Sequence, residues 1–126
     1  MIRSLHIENI AVVRSLDIDF SEGMTVLSGE TGAGKSIIID SLGLLLGGKA
    51  DRELIRTGED SASVSALFSD VGPDVEAKLL ELGIECEDGA IMLSRTLGAR
   101  SGARINGRAV TVGMLRDAGS ALFNIH

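Results

Sequence analysis

Apolar and polar positions along the chain change rhythm several times, and each rhythm predicts an element. Leu16-Asp17-Ile18-Asp19-Phe20 alternates apolar with acidic residues, the pattern of a half-buried strand, and Leu5 and Ile7 predict an earlier strand of the same kind. Ser21-Glu22-Gly23 reads as a turn. Met24-Thr25-Val26-Leu27-Ser28 is short and mostly apolar, as strands covered on both faces are. Ser36 to Leu46 is helical in length and too apolar for a surface helix, and Gly47-Gly48 ends it.

Beyond that helix the texture changes. Val64-Ser65-Ala66-Leu67-Phe68 alternates again and predicts a strand. Asp74 to Leu82 predicts a helix opened by Pro73 and closed by Gly83. Asp88-Gly89 and Asn106-Gly107 are tight-hairpin signals, because both central positions of such turns favour a left-handed backbone. They imply a meander from about Ile84 to Val110. Val112 to Ala118 predicts a short helix, and Ala121-Leu122-Phe123-Asn124-Ile125 one more buried strand. A chain that stops at His126, one residue after a buried strand, is expected to be part of something longer.

Composition narrows the class. With 126 residues, 44% hydrophobic and 24% charged, the chain fits one soluble domain or lobe. No apolar run approaches the ~20 residues of a membrane span, and Met1 to His6 does not resemble a secretory signal. Cys86 is the only cysteine, which excludes an intrachain disulfide and a cysteine metal cluster. A cytoplasmic protein without membrane partners is therefore expected. The net charge of −6 excludes a generally basic surface, yet Ser94 to Arg116 holds five arginines (Arg95, Arg100, Arg104, Arg108, Arg116) and no acid. Aromatics are limited to Phe20, Phe68 and Phe123, too few for stacking on single-stranded bases.

The chemistry is carried by Gly29-Glu30-Thr31-Gly32-Ala33-Gly34-Lys35-Ser36, which fits G-x-x-x-x-G-K-[ST] between an apolar strand and a helix. Gly29, Ala33 and Gly34 keep bulk away so that backbone N–H groups can approach phosphate oxygens. The helix points its positive end at the anion. Lys35 supplies a point charge to the outer phosphates, and Ser36 offers its hydroxyl to Mg²⁺. Lys35 and Ser36 are thus the candidate catalytic groups, Gly29 to Ser36 the candidate ATP-binding set, and Ser36 the candidate metal ligand.

Phosphoryl transfer also requires a magnesium acid and a group to orient water. Asp70, after Ala66-Leu67-Phe68-Ser69, is the nearest candidate acid, though its strand reads as half exposed. The chain therefore holds about half of a catalytic site. The arginines of 95–116 admit three readings: contacts to DNA phosphates, contacts to a nucleotide held by a second subunit, or a solvated hairpin face. His6 and Cys86 are expected to be structural.

Several segments in order resemble one family. The loop from Gly29 to Ile37, Leu46-Gly47-Gly48-Lys49-Ala50, Ile55-Arg56-Thr57-Gly58, Ile105-Asn106-Gly107-Arg108-Ala109-Val110 and the terminal Ile125-His126 resemble the RecN family, bacterial DNA repair ATPases related to the SMC proteins. Lys49 stands where that family usually has arginine, and Gly98 to Arg104 is looser than its compact turn. The resemblance implies an α/β P-loop NTPase. Residues 1–126 would form the N-terminal lobe of a split ABC-type ATPase head, with a mixed sheet and an antiparallel, hairpin-rich β subdomain. It implies a coiled coil and a C-terminal lobe that supplies the magnesium acid, signature motif and catalytic glutamate. It further implies a second head in an ATP-sandwiched homodimer, DNA as partner, a nucleoid-associated location, and a role in double-strand break repair. The chain by itself is expected to be inactive as an ATPase.

Other classes remain open at this point. A small nucleotide kinase would use the arginines as a lid, although they lie on predicted hairpins. A nucleotide-gated module would bind without hydrolysis. A transporter ATPase would stack adenine on an upstream aromatic, and only Phe20, on a predicted strand, precedes the loop.

Overall fold

The computed structural model of the chain describes residues 1–20 and 32–123. The order is β1 (Ile2–Ile10), β2 (Val13–Asp19), α1 (Gly32–Leu45), a 3-10 turn (Arg52–Leu54), β3 (Ser61–Phe68), α2 (Pro73–Glu81), β4 (Ile91–Gly98), β5 (Gly102–Ile105), β6 (Arg108–Val110) and α3 (Val112–Phe123). The strands form a six-stranded sheet in the order β2-β1-β3-β4-β5-β6. Each neighbouring pair is antiparallel, so the mixed sheet expected from the resemblance is not found among the described residues. The strand predicted for 24–28, and residues 124–126, lie outside the described residues.

Alternation decides which face is buried. Leu5 and Ile7 of β1, Ala62, Val64, Ala66 and Phe68 of β3, and Ile91, Leu93 and Leu97 of β4 all point to one side and are almost without exposure. Helix α1 lays Ile38, Leu44 and Leu45 on this side, together with Ser41, whose hydroxyl donates to the Ile37 carbonyl at 2.8 Å. Helix α3 adds Leu115, Ala118 and Leu122, and α2 adds Leu79. The opposite face is polar. Across it, Asp17, His6, Ser65, Ser94 and Arg104 stand opposite one another strand by strand.

Two sequence expectations change. Ala121 to Phe123 continue α3 rather than starting a strand, because Leu115, Ala118, Gly119 and Leu122 make one buried stripe of helical period. The Phe123 ring then meets Phe68 edge to face, with centroids 5.1 Å apart. Helix α1 is not buried all round: Ile39 is 66% exposed and Asp40 is exposed as well. The hairpin signals hold, with φ of 53° and 74° at Asp88 and Gly89, and 50° and 83° at Asn106 and Gly107. Asn106 also orders its surroundings, since its side chain accepts from the Met92 N–H and donates to the Glu85 carbonyl. No helix among the described residues is long and apolar enough to cross a membrane.

On the polar face, His6 uses both ring nitrogens. Nδ1 donates to Asp17 of β2, and Nε2 donates to Glu8 at 2.9 Å. Both bonds need the imidazolium, and the bonds to Glu8 and then Asp17 raise the His6 pKa above 6.5, outweighing the small opposing effect of burial. A raised pKa in the folded state makes this contribution to stability complete below pH 6.5 and lost as pH climbs through the folded value. The site is open to solvent, so salt screens it. We expect the melting temperature of the wild type to fall relative to His6→Gln as pH rises above 6.5, and the difference to shrink at high salt. Parallel melting curves of the two proteins across pH would contradict the pairing.

Candidate nucleotide-binding site

Gly32, Ala33 and Gly34 form the first turn of α1, followed by Lys35 and Ser36, which are both exposed. Gly29, Glu30 and Thr31 lie outside the described residues. The N–H groups of a helix's first turn have no partner within the helix, and the helix dipole adds partial positive charge there. No acidic side chain stands in the first turn of α1 to neutralise it. Lys35 and Ser36 thus sit where an anion would be held, and Ser36 has the hard oxygen that Mg²⁺ favours.

The other end of α1 is built with more partners. Gly47, at φ 84°, follows the helix in the left-handed region. The Gly48 N–H reaches the Gly43 carbonyl at 2.9 Å and the Gly47 N–H reaches that of Leu44 at 3.2 Å, the paired bonds of a Schellman turn. Helix α1 has no basic residue in its own last turn. Cations come from elsewhere. Arg95 of β4 donates through Nη1 to the Leu44 carbonyl at 2.9 Å and also to that of Gly48. Arg116 of α3 donates to the Gly47 carbonyl at 3.4 Å. Gly119 of α3 packs so closely that a Cβ there would lie 2.9 Å from the Leu45 carbonyl.

Arg95 therefore leaves the set of arginines expected to contact DNA or a partner's nucleotide. It is 7% exposed and follows Ile91 and Leu93 on the buried face of β4. Burial draws its pKa down, and the charge of Arg116 lowers it further, yet a guanidinium stays protonated. Arg116 meets the same turn as Arg95, and the other three arginines lie elsewhere. Arg100 is exposed in the β4–β5 turn. Arg104 is exposed on the polar face and donates to the Gly107 carbonyl at 3.1 Å. Arg108, exposed on β6, stands opposite Ile105 and so falls on the other side of the hairpin, at a cleft with Ile84, Cys86 and Met114. The parity of β4 was the available signal: Ile91, Leu93, Arg95 and Leu97 occupy alternate positions, so Arg95 had to share the buried side. Arg95 is barred from a lid over the phosphates for the same reason.

Asp70 is exposed just beyond β3, in a cavity bounded by Met1, Phe68, Pro73, Asp74 and Phe123. None of these belongs to α1, so the described residues do not bring Asp70 to Lys35 and Ser36. No cluster of three or more metal-ligating His, Cys, Asp or Glu side chains exists among the described residues. Cys86 is half buried, and burial, then the charge of Glu76, push its thiol pKa up, away from the thiolate.

With this geometry in hand, comparison with known proteins identifies the class. The AAA domain family matches residues 4–108. A head domain of SMC from Thermotoga maritima superposes with a TM-score of 0.63 at 22% identity, over 92% of this chain and 41% of that one. A second SMC ATPase structure, from work on ATP-driven dimerization and DNA stimulated activation, gives a TM-score of 0.71 at 23% identity, over 97% of this chain and 79% of that one. The fold is that of the N-terminal lobe of a P-loop ATPase head. The DNA repair protein RecN of Halalkalibacterium halodurans is 46% identical across 100% of this chain. The protein of the same description from Vibrio cholerae is 44% identical, again across 100% of this chain. The chain spans 23% of the length of each of these two relatives. It belongs to the AAA domain family, and its sequence places it with the RecN proteins.

The turn at Gly47 supplies a test of the helix end. An alanine there would have to hold φ 84°, with its Cβ 2.7 Å from that of Arg116. We expect Gly47→Ala to destabilise the fold by about 2 kcal/mol. A lower midpoint of urea unfolding at unchanged slope would register it. An unshifted midpoint would mean that the turn does not hold this geometry.

Proposed function

We propose that the chain is the ATP-binding lobe of an SMC-like ATPase that acts in DNA double-strand break repair and recombination. The observation that carries this reading is the placing of Gly32 to Ser36 at the start of α1, with Lys35 and Ser36 exposed and no acid in the helix's first turn. Gly29 to Gly34 would wrap the phosphates with backbone N–H groups, Lys35 would meet the outer phosphate charge, and Ser36 would place its hydroxyl on Mg²⁺. The reading is supported by relatives described as DNA repair proteins.

Residues 1–126 are then one lobe of a split head. Turnover would require a C-terminal lobe of the same protein, because Asp70 lines a cavity that no residue of α1 borders and the first turn of α1 holds no acid. ATP would be closed between two such heads in a homodimer, and DNA would be the partner on which the assembly works in a nucleoid-associated, cytoplasmic setting. Arg100 and Arg104 are the arginines left free to meet DNA phosphates, with Arg108 on the far side of the hairpin.

Two measurements test the reading in the full-length protein. Lys35→Ala removes the positive charge expected at the phosphates, so affinity for labelled ATP should fall at least about a hundredfold. Unchanged affinity would remove the nucleotide assignment. For DNA, each lost phosphate contact lowers the slope of log affinity against log salt by about one unit, whatever the sequence. Arg104→Ala should show that change. A variant that keeps its salt slope but loses ATP-driven dimerisation would instead assign Arg104 to the partner's nucleotide.

A further inference from the structure

We propose that Arg95 is a positioning residue for the nucleotide site, acting from the far end of α1. This rests on the reading that α1 begins that site. A buried cation ordinarily has a carboxylate beside it. Among the described residues Arg95 has none: its guanidinium donates to the carbonyls of Leu44 and Gly48. Its charge is thus offset by the negative end of the α1 dipole and by two carbonyl oxygens. The dependence runs both ways. Helix α1 lacks a basic residue in its last turn and takes its terminal charge from β4 and α3.

The consequence is that α1 cannot slide or tilt on the sheet without leaving the Arg95 guanidinium bare in an apolar layer between Leu93 and Leu97. Arg116 and Gly119 hold the same end against α3, so the helix is fixed to two elements at one point. A helix of 14 residues is a rigid body roughly 20 Å long. A tilt of a few degrees about its held end moves Lys35 and Ser36 by about 1 Å, enough to misplace groups that must meet phosphate and metal. Arg95 shares no contact with that site. It sets the angle from which the site is presented.

The test uses the full-length protein and reads ATP affinity separately from stability. Arg95→Met keeps the stem and removes the donors. Arg95→Lys keeps a charge but puts a shorter, tetrahedral ammonium in place of the planar Nη1 that meets both carbonyls. Leu79→Ala, a core truncation in α2, serves as a comparator that destabilises while leaving the residues of α1, Arg95 and its bonded partners unchanged in sequence. With all proteins assayed well below their melting temperatures, Arg95→Met should bind ATP at least tenfold more weakly than the wild type. Arg95→Lys should lie between them, and Leu79→Ala should match the wild type. Arg95→Met affinity equal to that of the wild type overturns the proposal, as does an equal loss in Leu79→Ala, since the loss would then follow from destabilisation alone. If Arg95→Met does not fold, Arg95→Lys against Leu79→Ala decides by the same criteria. Wild-type protein that binds no ATP would overturn the nucleotide reading itself, and this inference with it.

Discussion

The guanidinium of Arg95, buried between β4 and the last turn of α1, needs negative partners and takes them from backbone carbonyls. That choice ties a side chain in the middle of the sheet to the end of a helix whose other end is the candidate phosphate site. A carboxylate partner would have neutralised the charge locally and told the helix nothing. Carbonyl oxygens at a helix terminus are different, because their partial charge belongs to the whole helix. Around this one contact the rest falls into place: the Schellman turn that brings the Leu44 and Gly48 carbonyls towards Arg95, Arg116 from α3 on the same turn, and the close approach of Gly119.

Much of the architecture could be read from residues whose role is local. Asn106-Gly107 and Asp88-Gly89 announce their turns because few other residues accept both backbone conformations. The serines at 61, 63 and 65 place themselves on the polar face by alternation. Gly47-Gly48 ends α1 as expected, because the turn needs a left-handed residue there. The phosphate loop is legible for a similar reason, since its chemistry demands small residues, a lysine and a hydroxyl at fixed spacing.

What could not be read depends on where elements meet. Ala121 to Phe123 are equally apolar as strand or helix, and only their periodicity with Leu115 and Ala118 against the sheet resolves it. The five arginines form a run in sequence but not one patch in space: Arg95 and Arg116 meet the last turn of α1, Arg104 lies on the polar face, and Arg108, opposite Ile105, lies on the other face. Counting charge along the chain treats them as one patch. Counting it by face puts Arg95 in the core and leaves Arg100 and Arg104 to solvent.

The ends of the sheet carry a further consequence. Among the described strands, β6 closes one side with only three residues, and β2 closes the other with Arg14, Asp17 and Asp19 exposed along it. An open strand edge is a template for another chain, and it is blunted by brevity or by charge. One edge uses the first device and the other the second. Sheet-to-sheet growth into fibres is discouraged on both sides, and copies of the lobe have little reason to join through their backbones.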